Sequence, residues 1–293
     1  MKFPRRKFWL CFFPILIICW ISIGYIFSRV VTGAKPSQYP LIATIDTFKV
    51  TQLNLKSVDS LTINAWIAGN NKKDVVILMP GIGANSSNMT NRAALYLREG
   101  FSVMLPDFRA TGRSEGEVIS FGWNEKLDLI ACYRWLHAQG YENIAVHGCS
   151  LGAAAIAYSF DSITDYSFVV MESSYDNIDH AFAHRTFDSG FNRFLFWPAY
   201  FFTELKIDAE TEQLSPLDRM HLYKGSVLYL SGNKEQQIPV EEKQHVFAAI
   251  GSVSKTLHIF DGAAHEDFYN YDTVAYSKVL SAFLQTLPRN YER

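Results

Sequence analysis

The sequence predicts an α/β protein in which a mostly parallel eight-stranded sheet carries helices on both faces and a transmembrane helix precedes the sheet. Three observations predict this class: one long apolar run near the N-terminus, two segments of alternating apolar and polar residues, and six short apolar runs separated by helical patterns. Strands that alternate with helices are typical of a parallel sheet covered on both sides. A chain of 293 residues with 48% hydrophobic residues can fill such a core.

The first element is an apolar segment at residues 8–27, which contains no charged residue. As a helix, a segment of this length crosses a hydrocarbon core of about 30 Å. Four basic residues precede it: Lys2, Arg5, Arg6 and Lys7. Because basic flanks stay in the cytosol, we expect a single-pass membrane protein with its N-terminus inside and the domain that follows on the far, extracytoplasmic side. A cleaved signal peptide is the alternative, since Gly33 and Ala34 follow, but its apolar region spans only about 7 to 15 residues.

The strands of the sheet are predicted from the periodicity of apolar residues and from the length of apolar runs. The segments "TFKVTQLNLKS" and "LTINAWIAG" alternate apolar and polar residues, which predicts two antiparallel strands. Buried strands are predicted at six continuous apolar runs: Val75–Met79, Phe101–Leu105, Ile144–Val146, Phe168–Met171, Val227–Leu230 and Thr256–Phe260. Helical patterns with a polar start and a terminal glycine separate several of them: "SNMTNRAALYLREG", "NEKLDLIACYRWLHAQG" and "EEKQHVFAAIG".

These elements divide the chain into three parts. Residues 1–35 form a basic tip and membrane anchor, residues 36–47 a linker, and residues 48–293 a catalytic domain. Within that domain, residues 176–213 are rich in aromatic side chains and too long for an ordinary loop, so we expect a helical cap there. The cap aromatics would either line an apolar acyl-binding slot or seat the cap on the body.

Charge and cysteine content exclude two classes of protein. Residues 1–35 contain six basic residues and no acid, so the rest of the chain has a net negative charge. A body of that sign repels phosphate backbones, and a nucleic-acid partner is therefore not expected. Of the four cysteines, Cys11 and Cys19 lie in the apolar segment, which leaves too few in the body for a disulfide framework.

Candidate reactive residues follow three of the predicted strands. Ser150 follows the run at residues 144–146 within Gly148-Cys149-Ser150-Leu151-Gly152, a GxSxG pattern typical of a nucleophile elbow. Glu235 follows residues 227–230, and His265 follows residues 256–260. Ligands bind beyond the carboxyl ends of parallel strands, so we expect these side chains to meet there. A small-residue turn that packs a helix on a strand is the structural alternative for GxSxG.

From about residue 48 to 288, several motifs resemble the α/β-hydrolase superfamily, in particular its Bem46-like and monoacylglycerol-lipase-like serine hydrolases. "LMPGIGANSSNM" resembles the loop after the third strand, and "LPDFRATGRSEG" resembles the family's DxRGxGxSxG segment. "GNKEQQIP" resembles GxxDxxxP, which carries the catalytic acid, and "DGAAH" resembles the turn before the catalytic histidine. Their order along the chain is the order nucleophile, acid, histidine of this fold.

The resemblance implies a role for each residue. Ser150 would be the nucleophile, His265 its base and Glu235 the acid that orients the imidazole. The backbone N–H groups of Ile82 and Leu151 would form the oxyanion hole. Glutamate stands at position 235 where the family has aspartate, so the competing acids Asp176 and Glu172 stay open.

The remaining polar residues have simpler interpretations. His147 is interpreted as a buried packing residue, and Cys149 as a side chain turned away from the mouth of the site. Asp107 and Arg109 would brace the loop after the predicted strand at residues 101–105. Asp176, His180 and His184 recur at helical spacing, but they are interpreted as a polar cap face, because the sequence indicates no fourth ligand for a metal.

The function predicted on these grounds is a membrane-anchored serine hydrolase that needs no cofactor and cleaves carboxylic esters or thioesters of lipid-like or other small acyl substrates. A peptidase, amidase or acyltransferase on the same fold is one alternative. A membrane-tethered binding module without catalysis is the other.

Overall fold

The computed structural model describes residues 5–186, 193–265 and 267–287. Residues 1–4 of the predicted basic tip, 187–192 of the predicted cap and 288–293 of the predicted catalytic domain lie outside this part. The strands are β1 Lys35–Pro36, β2 Thr44–Ile45, β3 Phe48–Lys56, β4 Thr62–Ala68, β5 Asp74–Met79, β6 Ser102–Pro106, β7 Thr111–Gly112, β8 Asn143–Cys149, β9 Phe168–Glu172, β10 Ser226–Gly232 and β11 Lys255–Phe260.

Helices connect the strands and flank the sheet. The α-helices are α1 Arg5–Thr32, α2 Thr90–Arg98, α3 Glu125–Ala138, α4 Leu151–Ser159, α5 Ile178–Thr186, α6 Arg193–Ile207, α7 Val240–Ala249, α8 Phe268–Tyr271 and α9 Thr273–Thr286. Short 3₁₀ helices occupy Ser86–Met89, Thr211–Gln213 and Pro216–Leu222. The predicted cap therefore consists of α5 and α6 with the turn that follows them.

Nine strands of the described chain form one sheet in the order β11-β10-β9-β8-β5-β6-β4-β3-β2. All pairs from β11 to β6 are parallel, whereas β4 pairs antiparallel with both β6 and β3. The mostly parallel α/β-hydrolase sheet is thus confirmed. The expected count of eight strands is one too few. The edge strand β2 was missed, because a strand of two residues is too short to show any alternation in sequence.

Helices cover both faces of the sheet, as predicted. Along β5, Val75, Ile77 and Met79 join one buried cluster, and Val76 and Leu78 join another on the opposite face. The first cluster packs against α3, α4 and α7, and the second against α2 and α9. Each face of a β-strand collects every second residue, so a continuous apolar run at β5 requires this two-sided covering.

The segment that joins α1 to the sheet is held against the sheet domain by hydrogen bonds of Tyr39. Tyr39 is buried, and its hydroxyl donates to Asp107 over 2.8 Å and accepts from the Trp66 indole N–H over 2.8 Å. Among the described helices, α1 is the one that is long and apolar enough, over Phe12–Thr32, to cross a membrane. α1 precedes the sheet domain in the chain and packs along the cap helix α6.

Candidate active site

Ser150 stands in a strained turn between β8 and α4. Its backbone has φ 50° and ψ −108°, a conformation that residues with a side chain rarely adopt. The two glycines of the motif allow the tight approach of α4 to the sheet: a Cβ on Gly148 would lie 2.4 Å from the carbonyl carbon of Gly152, and one on Gly152 would lie 2.4 Å from the Met79 oxygen. Strain of this kind concentrates at functional sites, and the geometry is that of a nucleophile elbow.

His265 reaches Ser150 from the loop after β11. Its Nε2 lies 3.2 Å from Ser150 Oγ, although 115 positions separate the two residues in the chain. The ring is part-buried, with 21% of the side chain exposed. A neutral imidazole at this distance can accept the serine proton as the hydroxyl attacks a carbonyl carbon.

Glu235 lies on the other side of the same ring. Its Oε2 is 2.7 Å from His265 Nδ1, and the carboxylate is buried. The second oxygen, Oε1, accepts from Ser231 Oγ and the Gly232 N–H at 2.6 Å each, and from Ser173 Oγ at 2.9 Å. Burial alone raises the pKa of Glu235, but the hydrogen bonds from His265, Ser231 and Gly232 outweigh it and hold the pKa below its ordinary value.

Lys243 is a part of this site that the sequence did not indicate. The side chain is fully buried on α7, donates to the Gly232 carbonyl and lies 3.6 Å from Glu235 Oε1. Burial lowers the pKa of Lys243 despite the neighbouring carboxylate. In sequence, a lysine within "EEKQHVF" is typical of the exposed face of a helix, so no local pattern could have found it.

The two competing acids are engaged elsewhere. Asp176 Oδ2 lies 2.7 Å from His180 Nδ1, and Glu172 Oε1 lies 2.7 Å from His147 Nε2. In the described contacts, the carboxylate at His265 is that of Glu235. Asp176 was the alternative acid in the sequence interpretation, and its side chain belongs to the start of the cap.

A buried charge cluster lies beside the turn that holds Ser150. Arg92 donates to both oxygens of Glu172, over 2.8 and 2.7 Å, and His147 also contacts the Tyr96 hydroxyl at 3.0 Å. Burial raises the pKa of Glu172, but Arg92 and the His147 hydrogen bond outweigh it and hold that pKa well below the usual range. Burial lowers the pKa of His147, which is fully buried as expected. This cluster fixes the end of β9 beside β8.

A cavity of 220 Å³ opens at Ser150. Its described lining residues are Gly81, Ala84, Asn88, Met89, Arg92, Cys149, Ser150, Glu172, Ser173, His265, Asp267 and Phe268. Cys149 borders the cavity as the last residue of β8, directly beside the strained turn, and its Sγ lies within 4.8 Å of the ligating atoms of the buried His147 and Glu172. Burial raises the pKa of the Cys149 thiol well above its ordinary value, which keeps it protonated and a poor nucleophile.

None of the described lining residues comes from the cap, so the expected acyl slot of cap aromatics is not found at this cavity. The aromatics of α6 instead contact α1. The rings of Trp20 and Trp197 lie 6.2 Å apart, and those of Tyr25 and Phe202 lie 5.2 Å apart. The aromatic spacing in the sequence reflects a helix–helix contact, which looks the same as a pocket lining until the partner helix is known.

The predicted oxyanion donors flank the same point. Gly81 lines the cavity close enough that a Cβ would lie 3.8 Å from Ser150 Cβ, and Ile82 follows it in an exposed turn. Leu151 is the first residue of α4, and the N–H groups of a first helical turn have no partner within the helix. The role of the Ile82 and Leu151 N–H groups stays a prediction.

Two groups of described side chains bring metal-ligating atoms within 4.8 Å of one another: His147, Cys149 and Glu172, and Asp176, His180 and Glu242. In the first group, Arg92 already supplies the positive charge to Glu172. In the second, Glu242 accepts from the Asp176 N–H at 2.9 Å and lies 3.2 Å from His184 Nδ1, which fastens the start of the cap to α7. Both arrangements have a structural explanation in protein contacts alone.

The loop after β6 is braced as predicted. Asp107 accepts from the N–H groups of Ser86 and Arg113 at 2.8 Å each, and Arg109 pairs with Asp128 at 2.8 Å. These side chains shape the loop that passes the cavity rather than lining the cavity itself.

A serine in a strained turn between a central parallel strand and the helix after it is where the α/β-hydrolase fold holds its nucleophile. The protein is an α/β-hydrolase, as its motifs implied. It belongs to the family described as X-Pro dipeptidyl-peptidase (S15 family), whose model matches residues 29–191.

The chain is also similar to curated relatives and solved structures over most of its length. The chain is 23% identical to the uncharacterized protein YqkD of Bacillus subtilis (strain 168), over 93% of this chain and 95% of YqkD. It is 24% identical to protein bem46 of Schizosaccharomyces pombe, over 92% of this chain and 90% of that protein. The Pyrococcus furiosus esterase Pf2001 superposes with a TM-score of 0.72 at 21% identity, covering 87% of this chain and 98% of the esterase. This last likeness shows a shared fold.

Proposed function

We propose that the protein is a membrane-anchored serine hydrolase that cleaves carboxylic esters or thioesters of lipid-like acyl substrates. One observation carries the proposal: Ser150 Oγ, His265 Nε2, His265 Nδ1 and Glu235 Oε2 form a continuous line of contacts at 3.2 and 2.7 Å. The anchor is α1, with the N-terminus in the cytosol and the sheet domain on the far side of the membrane, since basic residues precede the apolar segment.

The reaction follows from this geometry. His265 accepts the Ser150 proton as Oγ attacks the carbonyl carbon, and the buried Glu235 carboxylate stabilises the imidazolium that forms. The negative charge on the carbonyl oxygen is stabilised by the N–H groups of Leu151 and Ile82. His265 then gives its proton to the leaving alcohol or thiol, and a water activated by the same imidazole releases the acid from Ser150.

The cavity fits the reacting end of such a substrate. Its 220 Å³ is below the roughly 300 to 1,000 Å³ of pockets that enclose a whole small ligand. Met89 and Phe268 supply apolar wall beside the polar groups of the site. An ester with a long acyl chain would place its carbonyl here and leave most of the chain outside the cavity, where the membrane is close.

The family description favours a second candidate, a peptidase that cleaves after proline. The same serine and histidine would attack an amide, with His265 protonating the leaving amine. Turnover of short esters, long esters, thioesters and X-Pro amides by the purified full chain separates the two candidates. We expect esters or thioesters to be preferred in kcat/KM, and a preference for X-Pro amides would overturn the ester proposal.

A fluorophosphonate probe tests whether the site is catalytic at all. We expect the probe to label the wild-type protein and to leave Ser150→Ala unlabelled. Equal labelling of the two proteins, or ester turnover that survives His265→Ala, would show that Ser150 and His265 do not carry the reaction, and absence of both labelling and turnover in the wild type would support a binding module without catalysis.

A further inference from the structure

The cap helix α6 exposes a row of large apolar side chains. Phe194 is 77% exposed, Trp197 52%, Phe201 40% and Leu205 66%, and these positions recur every three or four residues along one side of the helix. Leu195 beside them is 57% exposed. A contiguous exposed apolar surface of this kind marks a site of interaction with a protein or a membrane.

The row borders the contact with α1, since the rings of Phe194 and Trp197 lie 5.7 and 6.2 Å from that of Trp20, and the two helices run parallel. The indole N–H of Trp20 donates to the Leu195 carbonyl over 2.6 Å, and Ser28 Oγ lies 3.1 Å from Thr203 Oγ1. Residue numbers therefore increase in the same direction along α1 and α6. The start of α6 lies at the level of Trp20, which is well inside the Phe12–Thr32 span.

The contact between the two helices is intimate. A Cβ on Gly24 would lie 2.5 Å from Pro198 Cβ, so this glycine lets the backbones approach. Ser28 and Thr203 are fully buried at the interface and share a hydrogen bond. Small residues and hydroxyl bonds between helices are typical of helix pairs in membranes. α1 and α6 thus pack closely along this interface.

The charged side chains of α6 are directed away from the apolar row. Arg193 pairs with Asp179 at 3.2 Å, and its guanidinium lies 5.3 Å from the ring centre of Tyr200. Glu204 accepts from Thr211 Oγ1 at 2.7 Å. Lys206 Nζ donates to Thr32 Oγ1 at 3.4 Å, at the end of α1. The outer row is therefore apolar without interruption by charge.

We propose that α6 is a second membrane-embedded helix, whose outer row contacts the acyl chains of the bilayer that α1 crosses. This inference rests on the proposed membrane anchoring. A bilayer that surrounds α1 from Phe12 onward also surrounds whatever packs against Trp20, which includes the first turns of α6. The 15 residues of α6 span only about 22 Å, so the helix enters the bilayer without crossing it.

The position of α6 in the bilayer would affect which substrates reach the cavity. The cap begins directly after β9, and Glu172 and Ser173 at the end of β9 line the cavity. A cap held in the bilayer fixes the cavity at the membrane surface, which suits substrates that partition into lipid.

Photolabelling from within the bilayer tests the proposal on the unmodified full chain. The protein is reconstituted in phosphatidylcholine vesicles that contain a phosphatidylcholine with a diazirine on its acyl chain, irradiated, digested and mapped by mass spectrometry. We expect label on α1 and on the outer row of α6. Label at Val253 and Val274, which are exposed apolar residues of the body, should be lower on the order of tenfold, because acyl chains stay in the hydrocarbon core.

A charged substitution supplies the matched comparison. Leu195→Asp should lower the label on α6 and leave that on α1, whereas Val274→Asp on the body should change neither. Fluorophosphonate labelling in detergent checks that both variants are folded.

The failures are distinguishable. Label on α1 with only body-level label on α6 overturns the embedding and leaves the anchor intact. Absence of label from α1 as well overturns the anchoring and the embedding together.

Discussion

The carboxylate of Glu235 lies 2.7 Å from Nδ1 of His265, although its side chain is one methylene longer than the aspartate of the family's motif. The side chain folds back on its own strand end, where Oε1 accepts from Ser231 Oγ and the Gly232 N–H, four and three positions earlier in the chain. These bonds absorb the extra length and leave Oε2 aimed at the imidazole. The structure therefore lets a glutamate reach the histidine from the position where the motif has the shorter acid.

This contact predicts which carboxylate the reaction needs. Glu235→Gln should lower kcat by about 10³ to 10⁴, because an amide cannot stabilise the imidazolium or hold its tautomer. Asp176→Asn is the matched control and should leave kcat nearly unchanged, since Asp176 contacts His180 instead. Steady-state ester hydrolysis measures both. The assignment of the acid fails if Asp176→Asn is the more damaging substitution.

Alanine substitutions of the two neighbouring side chains Ser150 and Cys149 should have opposite effects on activity. Ser150→Ala should lower kcat by about 10⁵ to 10⁶, as removal of a serine nucleophile does elsewhere. Cys149→Ala should retain most activity, because burial raises the pKa of the thiol and keeps it protonated. Intact-mass measurement after fluorophosphonate treatment should place the adduct on Ser150. An adduct lost with Cys149→Ala but kept with Ser150→Ala would assign the chemistry to sulfur.

The buried cluster behind the elbow predicts a pH dependence of stability. The pKa of Glu172 is held well below its unfolded value of about 4.3, so its contribution to folding is complete above that pH and is lost as pH falls below it. Glu172→Gln should lower the free energy of unfolding by about 3 to 5 kcal/mol near pH 7, because Arg92 and His147 lose a buried partner.

Thermal melting of the detergent-solubilised full chain between pH 7 and pH 3 measures this effect. The Tm gap between wild type and Glu172→Gln should be constant down to about pH 5 and narrow below it. The exposed Glu241→Gln on α7 is the control and should follow the wild-type curve. A gap that widens toward acid would contradict the depressed pKa.

The glycines of the elbow predict a steric effect. Gly152→Ala should disrupt activity and lower stability by about 1 to 3 kcal/mol, because its Cβ would overlap the Met79 carbonyl and push α4 off the sheet. Gly100→Ala is the comparison, since the Cβ added there has no atom within 4 Å and its only cost comes from the positive φ of Gly100, which Gly152 does not share. Melting and ester turnover are measured together. Full activity in Gly152→Ala would show that the elbow tolerates the displacement.

Much of this architecture was predictable from the sequence because it depends on neighbours in the chain. Each of the six apolar runs forms a strand. The prediction for β8 stopped at residue 146 because His147 and Gly148 interrupt the apolar pattern, whereas the strand continues to Cys149. The positions of Ser150, Glu235 and His265 directly after their strands were also readable, since the turn that follows a buried strand has a recognisable composition. The edge strand β2 was not, because two residues carry no period.

The residues that support the site could not be found in this way. Lys243 lies in a pattern typical of a solvent-facing helix, and Arg92 lies near the polar start of α2, yet both are buried against carboxylates. A charge is buried only where the fold supplies its partner, and that partner is distant in sequence. The same limit made the cap aromatics resemble a pocket lining when their contact is α1.

The sequence by itself determined the class of sheet, the apolar helix at the N-terminus, and the order of serine, acid and histidine along the chain, because hydrophobic period and turn composition are local properties. Tertiary structure alone decided that Glu235 rather than Asp176 meets His265, that Lys243 is buried beside Glu235, and that α6 lies along α1. These contacts join residues as far as 175 positions apart. They follow from strand order and helix packing, which bring together side chains whose sequence neighbours carry no information about each other.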